Sequence, residues 1–280
     1  MGAQIAFGLF PVFGPVLFAP GAFTPLGLGA WRLVAGALIL GTSAALIYRG
    51  RALLHRSDIG RFTIAAWLGV AWNQGLYLEG LARSTPLNAA LVACLIPVFT
   101  YALATLVRHE TFSVTRAAGI LIALAGSLPL FGGAFSGLGR YGVGNLLMVG
   151  NSLSYSTYLI VSRPLVRRYP PLVVVAWAYL LSLPFAPLFA WHQTLVPGAG
   201  HAAAWWGLAF ALAFPTVLAY VFNMFALSRV PASTTAIYIY SQPLTTGLTS
   251  WAVYGETPTP PMLLAAGALF RGIWLVSRRS

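Results

Sequence analysis

Residues 202–227 read AAAWWGLAFALAFPTVLAYVFNMFAL and contain no charged side chain. A helix of about 20 apolar residues spans the hydrocarbon core of a bilayer, because each residue advances the helix by about 1.5 Å. The stretch does not alternate between apolar and polar residues as a transmembrane barrel strand does. It therefore predicts a transmembrane helix.

Similar apolar segments fill most of the remaining chain and are separated by short stretches rich in Pro, Gly and Arg. Their approximate bounds are 3–22, 25–48, 58–81, 84–107, 113–132, 142–165, 171–192, 230–254 and 260–277. Lipid offers no hydrogen-bond partner to the backbone, so each span must satisfy its own polar groups. The sequence predicts an all-α membrane protein with ten transmembrane helices.

The composition excludes other classes of protein. The 280 residues are 59% hydrophobic and 7% charged, with a mean hydropathy of +0.81. Soluble domains are about 25% charged, and disordered chains combine low hydrophobicity with high charge. All 16 cations are arginines, and a net charge of +12 would suggest nucleic acid in a soluble protein. Here the arginines lie at segment ends, which indicates membrane topology and no nucleic-acid partner.

The distribution of arginines predicts the orientation. With a cytoplasmic N-terminus, thirteen arginines lie at the inner ends of the segments and two, Arg83 and Arg140, at the outer ends. Cytoplasmic loops of membrane proteins carry an excess of cations. We therefore expect an integral protein of the bacterial inner membrane, with both termini in the cytoplasm.

The two halves of the chain align without a gap at an offset of 146 residues. Pro97 then falls on Pro243, and Glu110-Thr111 falls on Glu256-Thr257. Each half, 1–132 and 142–280, holds five predicted helices. Because five is odd, the second half enters the membrane from the opposite side, and the repeat is inverted. In secondary transporters with such repeats the substrate site lies near the midplane, between the halves.

Several motifs carry a resemblance to a known family. In the first half they are Asn73-Gln74-Gly75-Leu76-Tyr77, Gly80-Leu81-Ala82, Ser84-Thr85-Pro86, Ile96-Pro97-Val98-Phe99 and Glu110. In the second half they are Ala226-Leu227, Pro231-Ala232, Gln242-Pro243-Leu244 and Tyr254-Gly255-Glu256. The chain resembles the drug/metabolite transporter superfamily, in particular its EamA-like type.

The resemblance implies a secondary transporter that moves small organic metabolites by alternating access. It also implies a central cavity among predicted helices 3, 4, 8 and 9, with helices 1 and 6 completing its wall. Export is the expected direction, and an amino acid or a similar neutral or zwitterionic solute is the expected cargo. A phosphometabolite or nucleotide-sugar exchanger and a non-transporting scaffold subunit remain alternatives.

Amides and phenols inside the predicted spans are the candidate substrate-binding groups. Buried amides in a membrane need partners, so they face other helices or water. Positions 73 and 77, 151 and 155, and 238 and 242 are four apart and share a helix face. The candidates are Asn73, Gln74, Tyr77, Asn151, Tyr155, Tyr220, Asn223, Tyr238 and Gln242.

Three charged residues are candidates for a gate or an ion pair. Arg32 lies deep in the second predicted helix, where an arginine costs about 2.5–3.5 kcal/mol and usually has a partner. Glu79 is the intramembrane acid that could serve it, and Arg83 follows four residues later on the same face. The pair either gates the cavity, contacts a zwitterion or only stabilises the fold.

Pro97 and Pro243 are candidate hinges, because each removes a backbone donor within a predicted helix. A static kink is the alternative. Glu110 and Glu256 precede possible N-caps, Ser113 and Thr259, which favours a turn and helix-cap role over proton coupling.

Motifs for catalysis are missing from the sequence. There is no lysine for a Walker motif, no H-E-x-x-H and no G-x-S-x-G. The four histidines have no metal-ligand spacing. We expect no enzyme activity, cofactor or metal, and as partners a small solute and the bilayer, with the protein a monomer or weak homodimer.

Overall fold

The computed structural model describes residues 2–84, 89, 92–127, 141–254, 267–268, 270–272 and 274–276. All regular secondary structure in these residues is helical, so the predicted all-α class is confirmed for them. The α-helices are α1 (Gly2–Leu9), α2 (Gly14–Leu17), α3 (Pro25–Tyr48), α4 (Ile59–Ala66), α5 (Trp72–Ala82), α6 (Leu95–Leu106), α7 (Val114–Ser127), α8 (Gly142–Arg168), α9 (Pro171–Leu180), α10 (Ala186–Ala190), α11 (Ala202–Ala211), α12 (Ala219–Leu227), α13 (Ala232–Ile237) and α14 (Gln242–Tyr254).

Several of these helices join end to end without a loop. A π-helical turn, Trp67–Ala71, connects α4 to α5, and a second one, Leu212–Leu218, connects α11 to α12. A 3-10 turn, Tyr238–Ser241, connects α13 to α14. Such local changes of helix type alter the direction of neighbouring side chains, and π-turns are frequent at functional sites.

The helices match the predicted segments where both are described. The segments 25–48 and 202–227 have the bounds of α3 and of α11 with its continuation into α12. The first segment is shorter than predicted, because its helix ends at Leu17 before a turn that contains Pro20 and Gly21. The segment 260–277 lies mostly outside the described residues.

Three described helical stretches are long and apolar enough to cross a membrane. They are Pro25–Ala52, Pro171–Ala190 and Ala202–Leu227. Shorter apolar helices cover Gly2–Phe13, Leu95–Leu106 and Val114–Ala125. The longest helix, α8, has 27 residues and is more polar than these, with Asn151, Ser152 and Ser156 buried along it.

The outer surface is apolar while polar side chains lie inside. Leu46, Leu106 and Trp206 are each more than three-quarters exposed, whereas Gln4, Asn73 and other amides are almost fully buried. Apolar exposure on this scale marks a surface that contacts other apolar material, such as lipid. The fold therefore buries hydrogen-bonding side chains in its interior.

Helix α8 packs closely against α5, and small residues make this possible. A Cβ atom added at Gly144 would lie 2.6 Å from the Arg83 carbonyl oxygen, and one at Gly80 would lie 2.6 Å from Met148 Cγ. Backbones in membrane bundles approach in this way where the interface carries glycine. The close contact places Asn73 on α5 beside Asn151 on α8.

Candidate functional site

A cavity lies between the helices at the centre of the molecule. Its free volume is about 80 Å³. Binding sites for small molecules usually measure about 300–1,000 Å³, so this cavity is narrow. The residues that line the cavity are Gln4, Phe7, Phe10, Arg32, Asn73, Gln74, Tyr77, Ala93, Ile96, Asn151, Tyr155, Pro215, Tyr220, Ile239 and Gln242.

Seven of the nine residues predicted to bind substrate line this cavity: Asn73, Gln74, Tyr77, Asn151, Tyr155, Tyr220 and Gln242. They come from α5, α8, α12 and α14, which are distant in the chain. Asn223 lies behind the wall and donates from Nδ2 to the Tyr155 hydroxyl at 2.6 Å. Tyr238 lies away from the cavity, against the apolar cluster of Cys94, Tyr101 and Ile120.

A chain of hydrogen bonds links four helices along one wall. Gln242 Nε2 donates to Gln4 Oε1 at 2.7 Å, and Gln4 Nε2 donates to Asn223 Oδ1 at 3.2 Å. Asn223 then donates to the Tyr155 hydroxyl. Three amides and a phenol thus satisfy one another across α14, α1, α12 and α8. This wall is hydrogen-bonded in advance of any ligand.

A second part of the lining is built on Asn73 and Tyr220. Asn73 and Asn151 exchange side-chain to backbone bonds, with Asn151 Nδ2 lying 2.8 Å from the Asn73 carbonyl oxygen. The Tyr220 hydroxyl donates to the Gly69 carbonyl oxygen at 2.8 Å and lies 3.3 Å from Asn73 Oδ1. Gly69 belongs to the first π-turn. Tyr220 therefore connects α12 to the site where α4 changes into α5.

Arg32 supplies the positive charge of the cavity. Its side chain is 4% exposed, and its Nε donates to Thr216 Oγ1 at 2.9 Å. The guanidinium carbon also lies 5.1 Å from the centre of the Phe10 ring. Thr216 belongs to the second π-turn and donates to the Ala211 carbonyl oxygen. The guanidinium is thus oriented by a π-turn and an aromatic ring.

Glu79 does not pair with Arg32, contrary to the partnership considered for it from the sequence. Glu79 pairs with Arg83, one turn later on the same helix, and the Arg83 side chain is half exposed. The reason is geometric, since residues four apart on a helix are neighbours while Arg32 points towards α12 and its π-turn. No carboxylate of the described residues lines the cavity.

The two candidate hinges each lie in the first turn of a helix that follows a break. The break before Pro97 is at Cys94, and α6 begins at Leu95. Pro243 is the second residue of α14, directly after the 3-10 turn. Ser152 and Ser156 of α8 donate to the carbonyl oxygens of Val92 and Ile96, around the first break. Neighbouring serines thus compensate for the interrupted helix.

Glu110 has a capping role, but on a different helix from the one that follows it. Its Oε1 accepts the backbone N–H of Ser233 at 3.1 Å, and its Oε2 accepts the Ser233 hydroxyl. Arg116 also bonds to Oε2. Glu110 thus caps the N-terminus of α13, in the other half of the chain. Glu256 lies outside the described residues.

Seven cavity residues were absent from the sequence candidates: Gln4, Phe7, Phe10, Ala93, Ile96, Pro215 and Ile239. Gln4 is the one polar side chain among the first 23 residues of the sequence. A buried amide within a membrane span needs a hydrogen-bond partner, and this holds for Gln4 as well as for Asn73. Phe7 and Phe10 carry no such signal, because aromatic residues are common in every apolar segment of this chain.

Outside the cavity, a polar cluster joins the α3–α4 connection to the end of α8. Asp58 accepts hydrogen bonds from Arg168 and from the Tyr169 hydroxyl, each at 2.8 Å. Burial, reinforced by the Asp58 carboxylate, raises the pKa of the Tyr169 phenol. The phenol therefore stays protonated and donates to Asp58 at physiological pH.

Comparison with known proteins identifies relatives of this chain. The model of the EamA-like transporter family matches residues 1–132 and 142–278. A solved crystal structure with 20% identity superposes with a TM-score of 0.81, covering 99% of this chain and 94% of the other. At that identity the superposition shows a shared fold.

Named relatives are transporters. A protein of Streptantibioticus cattleyicolor named "Probable terminal-alkyne amino-acid exporter" is 24% identical, over 91% of this chain and 84% of its own. An uncharacterised transporter of Bacillus subtilis, YdfC, is 26% identical over 90% and 81%. The threonine/homoserine exporter RhtA of Escherichia coli K12 is 28% identical, over 45% and 42%.

Proposed function

Because the chain belongs to the EamA-like transporter family, and is therefore a membrane transporter rather than an enzyme, we propose that it exports small neutral or zwitterionic organic solutes, amino acids foremost, through the central cavity. The observation that carries this proposal is the lining of that cavity. Amides and phenols from five helices surround a buried space with a single guanidinium and apolar walls. Such a site suits a small polar molecule with an apolar body.

The architecture we propose is ten transmembrane helices in two inverted repeats, 1–132 and 142–280. The two π-turns support it. Trp67–Ala71 moved by the 146-residue offset becomes 213–217, which lies within the second π-turn, Leu212–Leu218. The helix breaks before Pro97 and Pro243 obey the same offset to within one residue. An irregularity that recurs at equivalent places is expected of duplicated units.

In this arrangement the cavity residues bind the solute, and the helices bend at their breaks. Asn73, Gln74, Tyr77, Asn151, Tyr155, Tyr220 and Gln242 contact the solute, while Asn223 holds Tyr155 in place. Pro97 and Pro243 mark hinges at which α6 and α14 bend as the two repeats rock. Arg83 and Glu79 lie outside the cavity lining. Their ion pair joins two neighbouring turns at the C-terminal end of α5.

The charge of the cavity favours this cargo over a phosphorylated one. A phosphate monoester carries close to two negative charges at neutral pH, and one guanidinium is the only cation among the lining residues. A zwitterion brings no net charge into the low-dielectric interior, so its desolvation is easier to compensate.

Transport by the purified protein in proteoliposomes tests the proposal. We expect labelled neutral amino acids loaded inside the vesicles to exchange with unlabelled solute outside, and empty vesicles to show no exchange. The variant Tyr155→Phe keeps the ring and removes one end of the amide chain, so exchange should fall several-fold. If folded protein moved none of the standard amino acids, amino-acid transport would be rejected.

A further inference from the structure

Arg32 is a buried cation for which no described residue supplies a counter-charge. Its Nε is used by Thr216, but in the part of the chain that the structure describes its two Nη groups have no hydrogen-bond partner and no carboxylate within ion-pair distance. The three described acids are paired elsewhere, with Arg83, Arg116 and Arg168. A guanidinium remains charged at every physiological pH, and a buried charge without a partner is costly.

Gln74 is a buried acceptor that lacks a donor in the same cavity. Its side chain is 2% exposed, and its Nε2 donates to the Tyr179 hydroxyl at 3.0 Å. In this orientation of the amide, no described residue donates a hydrogen bond to Oε1. Leaving such a group unsatisfied costs about 1–3 kcal/mol, so its retention in a cavity wall points to a ligand with a donor.

Arg32 and Gln74 belong to one wall of the cavity. Gly36 lies one turn after Arg32 on α3, and a Cβ atom there would come within 2.5 Å of the Tyr179 ring. Tyr179 is also the residue that the Gln74 amide contacts. Arg32 and Gln74 therefore line one cavity, and the helix that carries Arg32 packs against the ring that bonds Gln74.

Resting on the proposed function, we propose that Arg32 and Gln74 recognise the two charged groups of an α-amino acid. The Nη groups of Arg32 donate to the solute carboxylate, and Gln74 Oε1 accepts from the solute ammonium. The solute side chain then packs against Phe7, Ile96 and Ile239, which also line the cavity. The cavity selects for the amino-acid backbone, and its apolar part tolerates different side chains.

This assignment separates amino acids from similar solutes. A plain amine has no group for Arg32 and leaves its charge unpaired. A plain carboxylic acid satisfies Arg32 but leaves Gln74 Oε1 without a donor. A site that is built to hydrogen-bond a group discriminates strongly against the analogue that lacks it.

The experiment compares three probes that share the side chain of leucine: L-leucine, 3-methylbutylamine, which lacks the carboxylate, and 4-methylpentanoate, which lacks the amine. Two readouts are taken on the purified protein, thermal stabilisation in detergent and inhibition of amino-acid exchange in proteoliposomes. We expect leucine to act at least about tenfold more strongly than either analogue, as expected for the loss of one charge-assisted hydrogen bond.

Two variants assign this discrimination to the residues. R32Q should bring leucine and the amine to within about threefold of each other, and Q74L should do so for leucine and the carboxylic acid. R32K should retain part of the preference for a carboxylate, because it keeps the charge. R51Q, an arginine exposed outside the cavity, is the matched control and should keep both preferences.

The outcomes separate this inference from the proposed function. Stabilisation by leucine with both preferences, but without exchange, would support the recognition site and reject transport. Exchange of amino acids by a wild-type protein that binds the amine as strongly as leucine would reject the site and leave transport intact. Unchanged preferences in folded R32Q and Q74L would also reject the assignment. If R32Q failed to fold, R32K and the wild-type preferences would decide.

Discussion

Asp58 shows that the contribution of a charged side chain to stability depends on how deeply it is buried. Its side chain is 2% exposed while that of its partner Arg168 is 50% exposed. The Tyr169 hydroxyl also donates to the carboxylate. The arginine can regain hydration when the pair is broken, whereas the buried carboxylate cannot. The two ends of one ion pair therefore differ in their contribution to stability.

We expect Asp58→Ala to destabilise the protein by about 1–3 kcal/mol, because it removes a fully buried acceptor of two hydrogen bonds. Arg168→Ala should cost at least as much, because it leaves the buried Asp58 carboxylate with one of its two side-chain hydrogen bonds. Chemical denaturation of the solubilised variants measures both losses. A loss near zero for Arg168→Ala would show that the buried carboxylate does not depend on the ion pair.

The hydrogen bond between Asn223 and Tyr155 allows one link in the chain of amide hydrogen bonds to be measured. Hydrogen bonds between membrane helices contribute about 0.6 kcal/mol on average and up to about 1.7 kcal/mol. The 2.6 Å distance and the burial of both groups place this bond towards the upper end. In a double-mutant cycle of Asn223→Leu and Tyr155→Phe we expect a coupling of about 1 kcal/mol. A coupling near zero would mean that the bond adds nothing to the fold.

Among the elements, the first π-turn is held by a close contact with α8. A Cβ atom added at Gly69 would lie 2.1 Å from Cδ2 of the Tyr158 ring, which is fully buried. The Gly69 carbonyl oxygen also accepts the Tyr220 hydroxyl. Glycine at this position thus permits both the close approach of α8 and the link to α12.

We expect Gly69→Ala to destabilise the protein by about 1–3 kcal/mol, the usual cost of overpacking a core, and to reduce exchange in proteoliposomes. Gly60→Ala is the matched control on the preceding helix, α4, because an added Cβ there meets no atom within 4 Å. It should be neutral or stabilise by up to about 1 kcal/mol. If the two variants behaved alike, the packing argument would be wrong.

For the whole molecule, the inverted arrangement of the two repeats is open to a direct measurement. Positions 53 and 199 are equivalent under the 146-residue offset, and both Leu53 and Ala199 are exposed. Inverted repeats place equivalent positions on opposite sides of the membrane. The arginine distribution predicts that position 53 lies on the cytoplasmic side.

In a Cys94→Ala background we expect Leu53→Cys to react with an impermeant maleimide in inverted vesicles and Ala199→Cys to react in intact spheroplasts. Cys94 is the one cysteine of the chain, so its replacement leaves each introduced thiol as the single site of labelling. Labelling of both positions from the same side would contradict the inversion.

The helices were predictable because their signal is local. An apolar run of about 20 residues needs no knowledge of its neighbours to be read as a helix that contacts lipid, and α3 and Ala202–Leu227 have the predicted bounds. The family resemblance, confirmed by the match over both halves, also rests on local motifs. The interruptions inside the helices were less predictable, since a π-turn depends on what packs against it.

Some of the residues that line the cavity were predictable from the sequence. The rule that buried amides need partners selected Asn73, Asn151 and Gln242, which line it. The same rule selected Asn223, which supports the wall from behind, and the pattern of spacing selected Tyr238, which packs elsewhere. A spacing of four residues shows that two side chains share a face, but not which neighbour that face meets.

The sequence by itself determined the helical class, the membrane environment and the family, because hydropathy, arginine placement and short motifs are properties of neighbouring residues. Tertiary structure alone decided the partners that are distant in the chain: Glu110 with the N-terminus of α13, and Arg32 with Thr216. Hydrogen bonds and ion pairs act over about 3 Å, so they depend on how helices distant in the chain are packed together.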